Sequence, residues 1–235
     1  MGRVFEKRKY KMFARYDKMA KGFTRIGKEI AIAIKLGGGD PAGNSRLRVA
    51  IQNAKGLNMP KDRIDAAIKR ATSKDESNLQ EIVYEGKGPY GTAILCECAT
   101  DNPTRTVANV RMNFNRYGGE LGKTGSLDYL FERKGVFRIK NEKINVEELE
   151  MDLIDFGADE VESDEEEIVV YTAFTDFGTM QKALEAKKLH IISSELERIP
   201  NSSVELSDAQ VEEVMILVGK LEEDEDVQTV YHNLK

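Results

Sequence analysis

GVFRIKNEKINVEELEMDLIDFGADEVESDEEEIVVYTAFTDFGTMQKALEAKKLHIISSELERI, residues 135–199, decides the fold. GVFRIK, DEVES, EIVVYTA and IISSELERI have the short, β-branched, alternating composition of strands. VEELEMDLIDFG and FGTMQKALEAKK carry apolar residues at helical spacing. The order is β-α-β-β-α-β, the split βαβ unit of a two-layer sandwich. Residues 135–205 are therefore expected to form one complete, acidic domain.

Outward from this unit the chain is incomplete on both sides. Before it stand a buried strand, TAILCECA (92–99), a helix over 103–117 and an alternating segment, SLDYLFE (126–132). Asn102 ahead of Pro103 is a helix start signal. After it come a helix over 208–221 and a strand, VQTVYHNL. Each flank lacks the sheet that the other could supply. The expected arrangement is a discontinuous α+β domain, 79–134 with 206–235, into which the acidic domain is inserted. The rival arrangement is two consecutive domains with a loose C-terminal arm.

Residues 1–74 read as helical, within a basic helical domain over 1–78. Phe23, Ile26, Ile30, Ala33 and Ile34 share one face, and GGGDPAGN (37–44) ends that helix. Leu47, Ala50, Ile51 and Ala54 mark a second helix. Ile64, Ala67, Ile68 and Ala71 mark a third, with Pro60 suited to its first position. TSKDESN (72–78) is the linker. The fold class is thus α+β: a helical N-terminal domain and two ferredoxin-like-type α/β sandwiches, one inserted in the other.

Charge is sorted along this order. Residues 1–74 hold 19 Lys/Arg against 6 Asp/Glu, residues 75–140 hold 9 against 9, and residues 141–235 hold 7 against 26. The net charge of −6 hides a basic head and an acidic tail. Polyanions respond to the local field, so the head predicts nucleic-acid contact. Lys21, Arg25, Lys28, Lys35, Arg48, Lys55, Lys61, Arg63 and Arg70 lie opposite or beside the apolar stripes. An ordinary solvated face would intermix acids at i,i+4; between 18 and 74 only Glu29, Asp40, Asp62 and Asp65 are acidic. Tyr10, Phe13 and Tyr16 interleave with Lys9, Lys11 and Arg15, and suit either base stacking or the first helix's core.

GGELGKTGS (118–126) gathers glycines around Lys123. It reads either as a flexible connection or as a nest of backbone N–H groups for an anion, with Arg105 and Arg116 beside it. Asn109 joins Arg105 and the Lys123 loop as a candidate for sequence reading. EGKGPYG (85–91) matches a dinucleotide fingerprint by letters, but it precedes a strand and opens no helix, so it reads as a loop. GGGD reads as a turn.

Catalytic signals are sparse. His190 and His232 are the only histidines, and no nucleophile-elbow, zinc-protease or P-loop motif occurs. DEVESDEEE (159–167) and EEDED (222–226) lack the spacing of an EF-hand loop and read as solvated turns. A hydrolase holding Mg²⁺ at Glu165–Glu167 is the enzyme alternative. Cys96 and Cys98 share one strand face and read as reduced, half-buried thiols rather than as ligands. No catalytic residue, metal or cofactor is expected. No apolar run approaches a membrane span and the N-terminus has no secretory h-region, so the expected location is the cytoplasm. The oligomeric state is not read from the sequence.

GGGDPAGNSRLRVAI (37–51), NMPKDRIDAAIKR (58–70), YEGKGPYG (84–91), ECATDNPTRTVANVR (97–111), GGELGKTGSLDYLFERKG (118–135) and VYHN (230–233) resemble the YebC/PmpR family. The resemblance runs over most of the chain. It implies a three-domain fold, a helical head and two α+β domains with one inserted in the other. It also implies a probable transcriptional regulator that binds DNA; the alternative is a translation activator linked to the ribosome and its rRNA. Members usually open with a block like GHSKWANIKHRK, where this chain reads GRVFEKRKYKMFARYD.

Overall fold

The structure, a computed structural model, describes the backbone of residues 3–73 and 78–235 and the side chains of residues 20–73 and 78–235. The chain divides into two compact units, Met1–Ser77 and Asn78–Lys235.

The first unit contains α1 (Arg3–Gly37), α2 (Ser45–Gly56) and α3 (Lys61–Thr72). Ile26, Ile30, Ala33 and Ile34 of α1 pack on Leu47, Ala50 and Ala54 of α2 and on Ile64 and Ala67 of α3. Phe23, Ile51, Ile68 and Ala71 line the same core. The joint between α1 and α2 depends on Asn44, which is buried. Its Nδ2 donates to the carbonyls of Ala33 (2.7 Å) and Gly38 (2.8 Å), and its Oδ1 accepts from Leu47 N–H (3.0 Å). One side chain thus closes α1 and caps α2. A Cβ on Gly37 would stand 2.8 Å from that amide, so the residue must be glycine. The GGGD segment is the turn expected. Pro60 lies one residue earlier than expected, as the extended N-cap of α3 rather than its first helical residue. Of the linker expected over 72–78, Thr72 ends α3 and Ser73 caps it, while residues 74–77 lie outside the described residues.

The second unit runs β1 (Gln80–Lys87), β2 (Ala93–Thr100), α4 (Pro103–Arg116), β3 (Glu120–Leu121), β4 (Phe131–Lys140), α5 (Val146–Ile154), β5 (Ala158–Ser163), β6 (Glu167–Ala173), α6 (Phe177–Ala186), β7 (Ile191–Pro200), α7 (Asp208–Glu222) and β8 (Val227–His232). It holds two antiparallel sheets, ordered β3-β1-β2-β8 and β5-β6-β4-β7. The last strand returns to the first sheet, with Cys96 opposite Val230 and Ile94 opposite His232. The second sheet, from its β7 edge, runs fourth, first, third, second strand of its unit, the ferredoxin-like order. The first is also a sandwich of four strands and two helices, but its chain threads ββαβαβ.

Each sheet buries one face under its helices. Ile94, Cys96 and Cys98 of β2 meet Val110 and Phe114 of α4 and Val214, Leu217 and Leu221 of α7. Both cysteines are reduced and buried rather than half-buried, and burial pushes the Cys96 thiol well above its ordinary range. Phe137, Ile139, Ile168 and Val170 meet Leu149 and Leu153 of α5 and Met180 and Leu184 of α6. Among the described residues, no helix is long and apolar enough to cross a membrane.

SLDYLFE is a strand only in its last two residues. Asp128–Leu130 form a 3-10 turn, and β4 begins at Phe131. Leu127 and Phe131 pack together against Ala93 and Leu95 on the outer face of the first sheet. A single helical turn brings residues four apart to one side, which mimics alternation over so short a stretch. β4 accordingly starts four residues before the boundary expected at 135, because Phe131 pairs with Pro200 at the far end of β7.

Candidate nucleic-acid interface

The head presents cations because its three helices turn their apolar stripes inward. Lys21, Lys35, Lys55, Lys61, Arg63 and Arg70 are exposed, while Arg25, Lys28 and Arg48 are half-buried. Lys21, Arg25 and Lys28 follow i, i+4, i+7 spacing on the side of α1 away from Phe23 and Ile30. That side is not uniform. Ala31 and Ile32 are buried as well, so the open part of the α1 stripe lies toward Lys21. Arg63 and Arg70, seven apart, share one flank of α3. Lys69, which the sequence analysis passed over, is exposed at the centre of the α3 outer face. A helical wheel places it farther from the apolar stripe than either arginine, and that signal was available.

Arg48 has a second role. Its Nη1 donates to the carbonyl of Pro41 (3.0 Å) and reaches that of Ala42 (3.5 Å), fastening the loop between α1 and α2. Asp40 accepts from Ala42 N–H, so one of the head's few acids is engaged by its own turn. The side chains of Tyr10, Phe13 and Tyr16, with their neighbouring Lys9, Lys11 and Arg15, lie outside the described residues.

The second unit treats the remaining candidates differently. Arg105 is clamped between two carboxylates, Asp226 Oδ2 (2.7 Å) and Asp101 Oδ1 (2.9 Å). Its hydrogen bond to Asp226, above all, raises its affinity for its proton. Asn109 Nδ2 donates to Asp224 Oδ2 at 2.9 Å. Neither side chain is the open reader expected; each holds the acidic run before β8. Nor is that run a plain solvated turn. Asp226 is buried and also accepts from the hydroxyls of Thr100 and Thr106. The other run is β5 followed by a turn in which Asp164 Oδ1 accepts the N–H groups of Glu166 and Glu167, and these bonds lower the Asp164 pKa.

The glycine loop around Lys123 does form a nest, and the chain fills it with its own anion. Glu85 of β1 is 3% exposed. Its Oε1 accepts from Gly125 N–H and its Oε2 from Leu127 N–H, both at 2.6 Å, while its carbonyl accepts from Gly122 N–H at 2.7 Å. An external anion, as in the nest reading, therefore has no vacant cradle there. The Lys123 side chain remains exposed. Arg116 is exposed at the end of α4, 5.8 Å from the Tyr117 ring centre. The other glycine motif is a packing device. A Cβ on Gly86 would stand 2.5 Å from the Phe114 ring, and one on Gly88 2.7 Å from Ile94. Among the described residues, no group of three or more His, Cys, Asp or Glu side chains could hold a metal ion.

Comparison with known proteins agrees along the whole chain. Residues 3–74 match the family model described as the TACO1/YebC protein N-terminal domain, and residues 79–234 match that described as the TACO1/YebC second and third domain. The chain is 60% identical to a protein of Cytophaga hutchinsonii named a probable transcriptional regulatory protein, over all of this chain and 98% of that one. It is 55% identical to a protein of Parabacteroides distasonis with the same name, over all of this chain and 97% of that one. The crystal structure of a conserved hypothetical protein from Aquifex aeolicus is similar at a TM-score of 0.83 and 36% identity, over 92% of this chain and 90% of that one.

Proposed function

We infer, given that this chain belongs to the TACO1/YebC family, that it is a non-enzymatic regulator of transcription that binds DNA through its basic head. The observation that carries this reading is the head's exposed cationic surface, built by three helices over one apolar core. The names of its relatives support a regulator. Lys21, Lys35, Lys55, Lys61, Arg63 and Arg70 are the proposed phosphate contacts. Arg25, Lys28 and Arg48, half-buried, are proposed as further contacts. Lys69 extends it, and Arg116 and Lys123 add exposed charge on the second unit. The proposed compartment is the cytoplasm, and the proposed domain division is 1–78, 79–134 with 206–235, and 135–205. Phosphate contacts orient a protein without reading sequence, and they engage DNA and RNA alike. Ribosomal RNA is therefore the alternative ligand.

The test is binding of the full chain to a duplex and to a structured rRNA fragment across a range of salt. Engagement of about five phosphates gives a log–log slope near −4 to −5 on duplex. Arg63→Glu with Arg70→Glu should weaken binding on every duplex sequence and flatten the slope by about 2. An unchanged slope removes these positions from the interface. Preference for the rRNA fragment at equal salt favours the translational alternative.

A further inference from the structure

The helical layer over the second sheet leaves an apolar patch in solvent. Met151 and Ile154, one turn apart on α5, are 74% and 59% exposed, and Phe156 and Phe174 are 39% and 47% exposed. The Gly157 carbonyl accepts from Thr172 Oγ1, and a Cβ on Gly157 would meet the Asp176 side chain at 2.9 Å. That corner brings the end of α5, which carries Phe156, beside the segment that follows β6, which carries Phe174. Exposed apolar residues are common singly; a contiguous set with a charged rim marks a contact surface.

The α5 side of the rim has one sign. Glu147, Glu148, Glu150 and Asp155 are all exposed on or at the end of α5, and that helix contains no Lys or Arg. Three cations border the patch, each engaged by a neighbour: Lys187 with Asp152, Lys134 with Asp159, and Arg133 over the Phe174 ring at 4.6 Å. A surface of this kind repels phosphate, so it serves neither nucleic acid nor an anionic lipid surface.

We propose that this α5 face is a docking surface for a basic amphipathic helix of a partner protein. The occupant's apolar residues, at i, i+3/i+4 and i+7, would cover Met151, Ile154 and the two phenylalanines, and its flanking Lys or Arg would meet the α5 carboxylates. Charge complementarity selects this occupant: apolar anchors supply the burial, and the carboxylates along α5 favour a cationic partner over an acidic one. The proposal lies on the acidic sandwich and does not depend on the nucleic-acid reading of the head.

The probe is a fluorescein-labelled Leu/Lys helix of about 18 residues, long enough to be marginally helical alone. Its control is a Gln/Lys peptide of equal length and charge. Anisotropy with the full chain should show saturable binding of the Leu/Lys helix and much weaker binding of the control. Met151→Gln with Ile154→Gln should weaken the Leu/Lys helix about tenfold or more, as for loss of central apolar anchors, and leave the control unchanged. Glu147→Lys with Glu150→Lys, both at exposed positions, should weaken both peptides. Equal binding of the two peptides, or no effect of the first double variant while it melts normally, overturns the proposal. So does a change of sedimentation from oligomer to monomer in that variant, which would assign the face to a second copy of this chain. Duplex binding by the same variants should stay unchanged, which separates failure here from failure of the head as a nucleic-acid surface.

Discussion

Replacing Asp226 by alanine should lower the melting temperature of the second unit by about 10 °C. Asp226 is buried at the junction of three elements. Its Oδ2 accepts from Thr100 Oγ1 at the end of β2 (3.1 Å) and from Thr106 Oγ1 in the first turn of α4 (2.9 Å). Its carbonyl accepts from Ala99 N–H (2.8 Å), which positions the turn into β8. Alanine leaves two buried hydroxyls without their charged acceptor, at about 1.5–3 kcal/mol per charge-assisted bond. The sum is roughly 3–4 kcal/mol after partial relaxation, because Thr106 retains the carbonyl of Asn102 as an acceptor. Asp226→Asn should cost less, since an amide oxygen can still accept from one threonine. Arg105→Ala should cost least, because water can replace the half-exposed guanidinium at Asp226 Oδ2 while both threonine hydroxyls keep their acceptor. Thermal melts of the three variants test this order. If Arg105→Ala proved as damaging as Asp226→Ala, the pairing of Arg105 with the buried carboxylate rather than the hydroxyl cluster would hold the junction.

The contrast between Asp226 and the head shows which parts of this protein were legible in its residues. Helical faces are local. Ile30, Leu47 and Ile64 announce themselves by spacing alone, and the Asn102–Pro103 start of α4 is a local signal too: Asn102 Oδ1 accepts from Arg105 N–H at 3.1 Å. The β-α-β-β-α-β unit is likewise a pattern of neighbours. The partners of Arg105 and Glu85 are not. Arg105 meets a carboxylate 121 residues away, and Glu85 meets amides 40 and 42 residues away. An acidic run looks solvated by composition whether or not one of its members turns inward. Asp226 does so because β8 enters the first sheet beside β2, an event of topology rather than of local sequence. SLDYLFE misled for a related reason: over seven residues, a turn joined to a strand produces the same alternation as a strand alone. On the head, the same local reasoning found Arg63 and Arg70 and passed over Lys69. It also could not anticipate that Ala31 and Ile32 would be buried on the cationic side of α1.

Glu85→Ala carries the second large effect, and it separates two descriptions of the glycine loop. If the loop were merely a flexible connection, removing one side chain from β1 would leave it unchanged. The structure instead makes that carboxylate the template around which Gly122–Leu127 are arranged. Two backbone N–H groups point at its oxygens at 2.6 Å, and Leu127 N–H is buried. Alanine should destabilise by roughly 3–5 kcal/mol, two charge-assisted bonds lost with one donor stranded away from water. Glutamine should cost about 2 kcal/mol, since its oxygen serves one N–H while its NH₂ group faces the other. Urea unfolding gives the magnitudes, and hydrogen exchange at the Gly125 and Leu127 amides reports the site itself. Both amides should exchange faster in each variant, with Leu127 showing the larger change. A vacated nest is also an anion site. Acetate at high concentration should therefore restore part of the stability of Glu85→Ala and none to the unsubstituted chain, whose nest its own carboxylate fills. Equal stabilisation of both by acetate would mean that the gain is a general salt effect. In that case Glu85 would be only one of several polar groups under the loop, and the nest would not be organised around it.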